Sequence, residues 1–183
     1  MTEQQERYHN YMLRKAREAY VMNDLEEYPY PKWDIRFLKL AKEISTWSKD
    51  PSSKIGAVVV NDDRRILATG YNGFPRGIED SDERLNDREE KYPRIIHAEL
   101  NALMNALYSG VSVKGATLYV YGLPICSDCT KSVIQSGIKR VVLSPPYLAP
   151  EKWRESWEKL SEPMFKEAGV KIRYIVFDNG QQS

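Results

Sequence analysis

Cysteine is scarce. The 183 residues contain two, which excludes a disulfide scaffold, and a pair as close as Cys126 and Cys129 reads as metal-binding or redox-active in a reducing compartment. Histidine is equally sparse, with only His9 and His97. No apolar run approaches the roughly 20 residues that a membrane-spanning helix needs. The opening MTEQQERYHN lacks the apolar stretch of a secretory signal and carries acidic residues foreign to an organellar transit peptide. An excess of one charge is also missing: 27 Lys and Arg against 26 Asp and Glu leave a net +1, which gives no broad attraction for a nucleic-acid backbone. These absences predict a cytoplasmic protein (host cytoplasm if viral) that binds neither membrane nor nucleic acid. With 42% apolar and 29% charged residues, the remaining composition is that of a globular chain, long enough for one core.

Periodicity divides the chain. Residues 7–25 read as a charged, tyrosine-bearing helix, so 1–30 is an N-terminal helical extension ahead of a main domain over 31–183. A second helix is predicted from near Asp34, with Phe37, Leu40, Ala41, Ile44 and Trp47 at three- and four-residue steps. IGAVVV and RILATG, separated by NDDR, read as an antiparallel hairpin. The stretch 71–96 reads as an elaborated loop whose mixed charges at 79–94 form a solvated face. A helix then follows from His97 through Leu100, Leu103, Met104 and Leu107 to Gly110. The strand ATLYVY, a helix from Cys126 stopped by Gly137, the strand IKRVVLS, an amphipathic stretch broken at Pro163 and the strand KIRYIVF complete the pattern. Strands joined by long crossovers run parallel, so the expectation is a three-layer α/β/α sandwich with a mixed five-stranded sheet.

Three of the four cysteines and histidines fall where chemistry would need them. His97 and Glu99 open one predicted helix, and Cys126 and Cys129 open the next. Two thiolates one helical turn apart reach a single ion, His97 supplies a third donor, and a fourth tetrahedral position stays open, as in a catalytic zinc site. The positive helix ends favour thiolates there. Glu99, two residues from His97, is placed to move protons rather than to bind metal. A CxxC thiol oxidoreductase is the main rival, but it leaves His97 and Glu99 unexplained. A closed structural zinc would need a fourth ligand, and His9, read as a surface residue, is the one spare histidine. H-x-E followed by P-C-x-x-C is the zinc deaminase signature, and HAE precedes LPICSDC by about 30 residues with a strand between.

Taken with SKDPSSKIGAVVV, GYNGFPRG, HAELNAL and IQSGIKRVV, these motifs resemble the deoxycytidylate (dCMP) deaminase family of the cytidine deaminase superfamily. The resemblance implies hydrolysis of dCMP to dUMP and ammonia. It also implies a homo-oligomer, usually a hexamer, activated by dCTP and inhibited by dTTP with Mg2+. Asn72 matches a sugar-binding asparagine, although asparagine beside glycine is also a good turn. Ala98 is expected to present backbone groups to the base, and Tyr147 to pack on the deoxyribose. Lys49, Ser53 and Lys54, with Arg76 and Arg94, are the phosphate candidates near the rim. Gly73, Phe74 and Arg76 are the effector candidates. Pro124 stands one residue further from Cys126 than the usual pattern, which alters a pocket wall. Residues 73–96 hold neither Cys nor His, so one Zn2+ per chain is expected.

Overall fold

A computed structural model describes residues 31–146 and 149–175. The predicted N-terminal helix, His9 and Tyr147 lie outside the described residues. Strands β1 (Gly56–Val60), β2 (Ile66–Tyr71), β3 (Thr117–Tyr121), β4 (Arg140–Leu143) and β5 (Lys171–Tyr174) form one sheet in the order β2-β1-β3-β4-β5. β1 pairs antiparallel with β2 and β3, and β3, β4 and β5 are parallel. That is the mixed sheet expected from a hairpin followed by helical crossovers. Every residue of β1 is buried, as suits a GAVVV strand covered on both faces.

One helix covers the first face. In α1 (Pro31–Ser45), Phe37, Leu38, Ala41 and Ile44 pack on Val58, Val60, Tyr119 and Val142. The helix already includes Pro31, the first described residue, three positions before Asp34. It ends before Trp47, which therefore leaves the helical period and stays 55% exposed. The same face buries a charged cluster. The Asp34 carboxylate accepts from Tyr119 Oη at 2.8 Å, from Arg173 at 2.9 Å and from Arg140.

The other face carries α4 (Ala98–Tyr108), α5 (Ser127–Gln135) and a long broken helix. The break is a π-helical turn, Trp157–Ser161, between α6 (Glu151–Ser156) and α7 (Glu162–Glu167). Pro163 lies in the first turn of α7, so the interruption falls just ahead of the residue that lacks an N–H. Trp157 and Phe165 from this helix, with Val133 of α5 and Ala102 and Ala106 of α4, fill the core over Val59, Leu118, Val120 and Val141. Gly110 and Gly137, at φ 67° and 81°, follow α4 and α5 where the sequence predicts the stops.

Two details place the site. Gly56 is the register partner of both Tyr71 and Tyr121, so β2 and β3 end at the same side of the sheet, and segments 72–97 and 122–126 leave from there. α4 is also pressed against β2: a Cβ at Gly70 would lie 2.3 Å from the Ala102 nitrogen and 2.4 Å from the Ala98 oxygen. Asn101 and Asn105 donate to the Tyr71 and Thr69 carbonyls at 2.8 and 2.7 Å, which caps this edge strand. The mixed-charge run 79–94 forms α2 (Asp82–Asn86) and α3 (Arg88–Lys91). It is solvated except at Leu85 and Lys91, both buried, and burial of the lysine departs from the sequence expectation. No helix among the described residues is long and apolar enough to cross a membrane.

Candidate active site

His97 and Cys126 are the N-cap residues of α4 and α5, extended in backbone and each directly before a helix. Because both helices start at the side where β2 and β3 end, the two caps face one another. His97 Nδ1 lies 3.3 Å from Cys126 Sγ and 3.5 Å from Cys129 Sγ. All three donor atoms fall within 4.8 Å of one another. A tetrahedral zinc with its usual bond lengths separates nitrogen and sulfur donors by about 3.6 Å, so the cluster has the size of a zinc site, with Nδ1 as the facing nitrogen. One nitrogen and two sulfurs are also a donor set suited to zinc.

The electrostatics of the metal-free cluster favour one thiolate, held between a protonated thiol and a protonated imidazole. Cys126 is pushed down to about 4, first by the hydrogen bond from Cys129 and then by that from His97, against the opposing effect of burial. Cys129 is pushed up for the reciprocal reason, with burial adding to it. His97 is raised to about 9, chiefly by its hydrogen bond to Cys126. A dication in the cluster would displace these protons and hold both thiolates.

Glu99 lies in the first turn of α4 and is 3% exposed. Burial raises its carboxyl to about 7; its own backbone N–H and the His97 charge oppose that shift only in part. A carboxyl near neutrality beside a metal-sized cluster can both take and return a proton at physiological pH.

The family profile of the cytidine and deoxycytidylate deaminase zinc-binding region matches residues 31–144. The chain belongs to this deaminase family. Deoxycytidylate deaminase of Mus musculus is 40% identical over 152 residues, covering 79% of this chain and 80% of the relative. The Homo sapiens enzyme is 37% identical over 155 residues, covering 80% and 82%. The crystal structure of dCMP deaminase from the cyanophage S-TIM5 in complex with dCMP and dUMP superimposes with a TM-score of 0.66 at 26% identity, covering 79% of this deaminase and 98% of that chain.

The other expected residues of the deaminase divide into two groups. Ala98 and Pro124 are buried beside the cluster residues in sequence. Asn72 is 4% exposed and clamps the preceding loop. Its Nδ2 donates to the Ser53 carbonyl at 2.8 Å, and its Oδ1 accepts from the Ile55 N–H at 2.8 Å. The clamp uses both ends of the amide and leaves one lone pair of Oδ1 over. Lys49 is exposed and ion-paired with Asp80 at 2.9 Å, Lys54 Nζ donates to the Ser48 carbonyl at 2.7 Å, and Arg94 pairs with Glu90 at 3.1 Å. Gly73 bridges to Ile96 and so ties the GYNG loop to the residue before His97. Phe74 is half-buried. Arg76 reaches the outer side of α4, bonded to Asn105 and stacked 4.9 Å over the Tyr108 ring.

Sequence reasoning missed Asp50 and Lys91, which form a buried ion pair at 3.1 Å behind Asn72. No local pattern marks them. Asp50 stands in a turn-rich stretch and Lys91 in a dense charge run, and each is ordinary there until the fold brings them together across 41 positions.

Proposed function

We propose that this chain catalyses the zinc-dependent hydrolytic deamination of dCMP to dUMP and ammonia. The observation that carries the reading is a buried glutamate with a carboxyl near neutrality, directly beside a His97, Cys126 and Cys129 cluster of zinc dimensions. The substrate follows from the relatives, several of which are named deoxycytidylate deaminases, and from the related phage enzyme bound to dCMP and dUMP.

One Zn2+ per chain, held by His97, Cys126 and Cys129, would supply a Lewis acid that brings the pKa of a water toward neutrality. Glu99 accepts the proton of the attacking water and delivers it to ring N3 as the new C4–O bond forms. It then carries the second proton to the amino group, the C4–N bond breaks, ammonia leaves and the carbonyl remains. The Ala98 backbone addresses the base edge, and Pro124 forms part of the pocket wall. Asn72 accepts from a sugar hydroxyl through the free lone pair on Oδ1, and Tyr147 packs against the deoxyribose. Lys49, Ser53 and Lys54 receive the phosphate, for which the exposed Lys49 exchanges its screened surface pairing with Asp80.

Regulation belongs to the same reading. dCTP as activator and dTTP as inhibitor, each with Mg2+, act at Gly73, Phe74 and Arg76 in a cytoplasmic homohexamer. The support is continuity: Gly73 adjoins Asn72 and pairs with Ile96, so a triphosphate that prefers one arrangement of the loop shifts the sugar contact and the entry to His97 together.

The deciding experiment is ammonia release by zinc-loaded protein from cytosine, cytidine, CMP, dCMP and adenosine, with zinc measured per chain. The expected result is one zinc and a clear preference for dCMP, with sigmoidal rates that dCTP makes hyperbolic. Failure to turn over dCMP refutes the substrate, and two tightly held zincs refute the single site.

A further inference from the structure

Lys91 is a charge without an evident reason to be buried. It ends the four-residue helix α3, the other residues of which are not buried, yet its side chain is 5% exposed. Its ammonium donates to Asp50 Oδ1 at 3.1 Å and to Ser52 Oγ at 3.0 Å. Asp50 Oδ1 also accepts from the Ser52 N–H at 2.8 Å, while Oδ2 faces Asn72 Nδ2 at 3.4 Å. Ser48 Oγ donates to the Asn72 carbonyl at 2.7 Å. The Asn72 amide is thus held on both sides, nitrogen toward Asp50 and Ser53, oxygen toward Ile55. That choice of amide orientation decides whether Asn72 offers a ligand an acceptor or a donor.

The backbone of Lys91 is tied into the site as well. Its carbonyl accepts from Ile95 at 2.9 Å and from Arg94 at 3.0 Å, and Ile96 then exchanges both hydrogen bonds with Gly73 at 3.1 and 2.8 Å before the chain enters His97. One residue therefore joins the 48–55 loop, the segment after β2 and the start of α4.

We propose that Lys91 is a positioning residue for nucleotide binding, acting through Asp50 to hold the Asn72 amide with its oxygen available to the sugar. The proposal rests on the deaminase reading and on Asn72 as the sugar contact. Without the ammonium, the Asp50 carboxylate is buried with no ion-pair partner among the described residues, and it competes for the Asn72 N–H groups that now point to Ser53. Lys91 touches neither the metal cluster nor Glu99, so the chemical step is spared.

The test is a kinetic cycle on zinc-loaded full-length protein with dCMP as substrate. Lys91→Met is expected to raise KM at least about tenfold, the effect of roughly one charge-assisted hydrogen bond, while kcat stays within about threefold and zinc content is unchanged. In an Asn72→Ala background the same substitution is expected to change KM less than about twofold, because the residue it acts through is gone. If Lys91→Met does not fold, Lys91→Met with Asp50→Asn removes both charges and goes through the same cycle. An unchanged KM, a loss confined to kcat, or an equal KM effect in both backgrounds overturns the proposal. Wild-type protein that releases no ammonia from dCMP overturns the deaminase reading and this proposal together, and that result is told apart because it appears before any substitution is made.

Discussion

The two faces of the sheet both bury ionisable groups, and they use them for opposite ends. Under α1, Asp34 is 1% exposed and its carboxylate is shared among Tyr119, Arg140 and Arg173. Under α4, Glu99 is 3% exposed, and no Lys or Arg among the described residues forms an ion pair with it. The paired acid locks α1 to β3, β4 and β5. The unpaired one is left with a carboxyl near 7, able to exchange a proton. Burial alone does not define a functional group: what the neighbours do with the charge decides whether it holds structure or performs chemistry.

The comparison breaks most sharply at the metal cluster. Cys126→Ala or Cys129→Ala is expected to abolish zinc binding and ammonia release together, measured by elemental analysis and steady-state assay. Either variant keeping metal and activity would remove the cluster from the catalytic side. Glu99→Gln should separate the two functions of that side, retaining one zinc per chain and the fold while kcat falls by more than about 10²–10⁴-fold, since in the proposed reaction one carboxyl serves two proton transfers. Near-normal turnover would move the proton role elsewhere.

On the other face, Asp34→Asn removes the buried carboxylate that Tyr119, Arg140 and Arg173 share. The expectation is a loss of about 3–5 kcal/mol in urea unfolding, with zinc content and turnover per folded molecule unchanged. A kinetic defect in the folded fraction would show that the faces are coupled.

The smallest effect concerns pH. In metal-free protein the Glu99 carboxyl titrates near 7 rather than its ordinary 4.5, so the folded state holds that proton more tightly than the unfolded chain does. The stability it contributes is full below about pH 4.5 and is lost as pH rises through about 7. Metal-free Glu99→Gln lacks this loss, so between pH 5 and 8 its stability should gain roughly 2–3 kcal/mol relative to wild type. Parallel pH profiles for the two proteins would mean that burial does not perturb Glu99.

Much of the site was legible one element at a time. His97, Glu99, Cys126 and Cys129 stand at helix starts, and local spacing announces both the helices and the donors, because capping and periodicity act over a few residues. The strands, their antiparallel and parallel pairings and the stops at Gly110 and Gly137 followed from similar short-range signals. Trp47 was misplaced because its spacing continues a period that the helix does not.

What the sequence alone determined, then, is the chemistry: a nitrogen, two sulfurs and a carboxylate in an order shared with a deaminase family. Only the tertiary structure decided that Asp34 meets Arg140 and Arg173, that Lys91 is buried on Asp50, and that the Asn72 amide is turned with its oxygen toward Ile55. These contacts join residues 17 to 139 positions apart. A charged side chain in a polar run looks the same in sequence whether it faces water or a partner, and only the packed fold removes the water and supplies the partner.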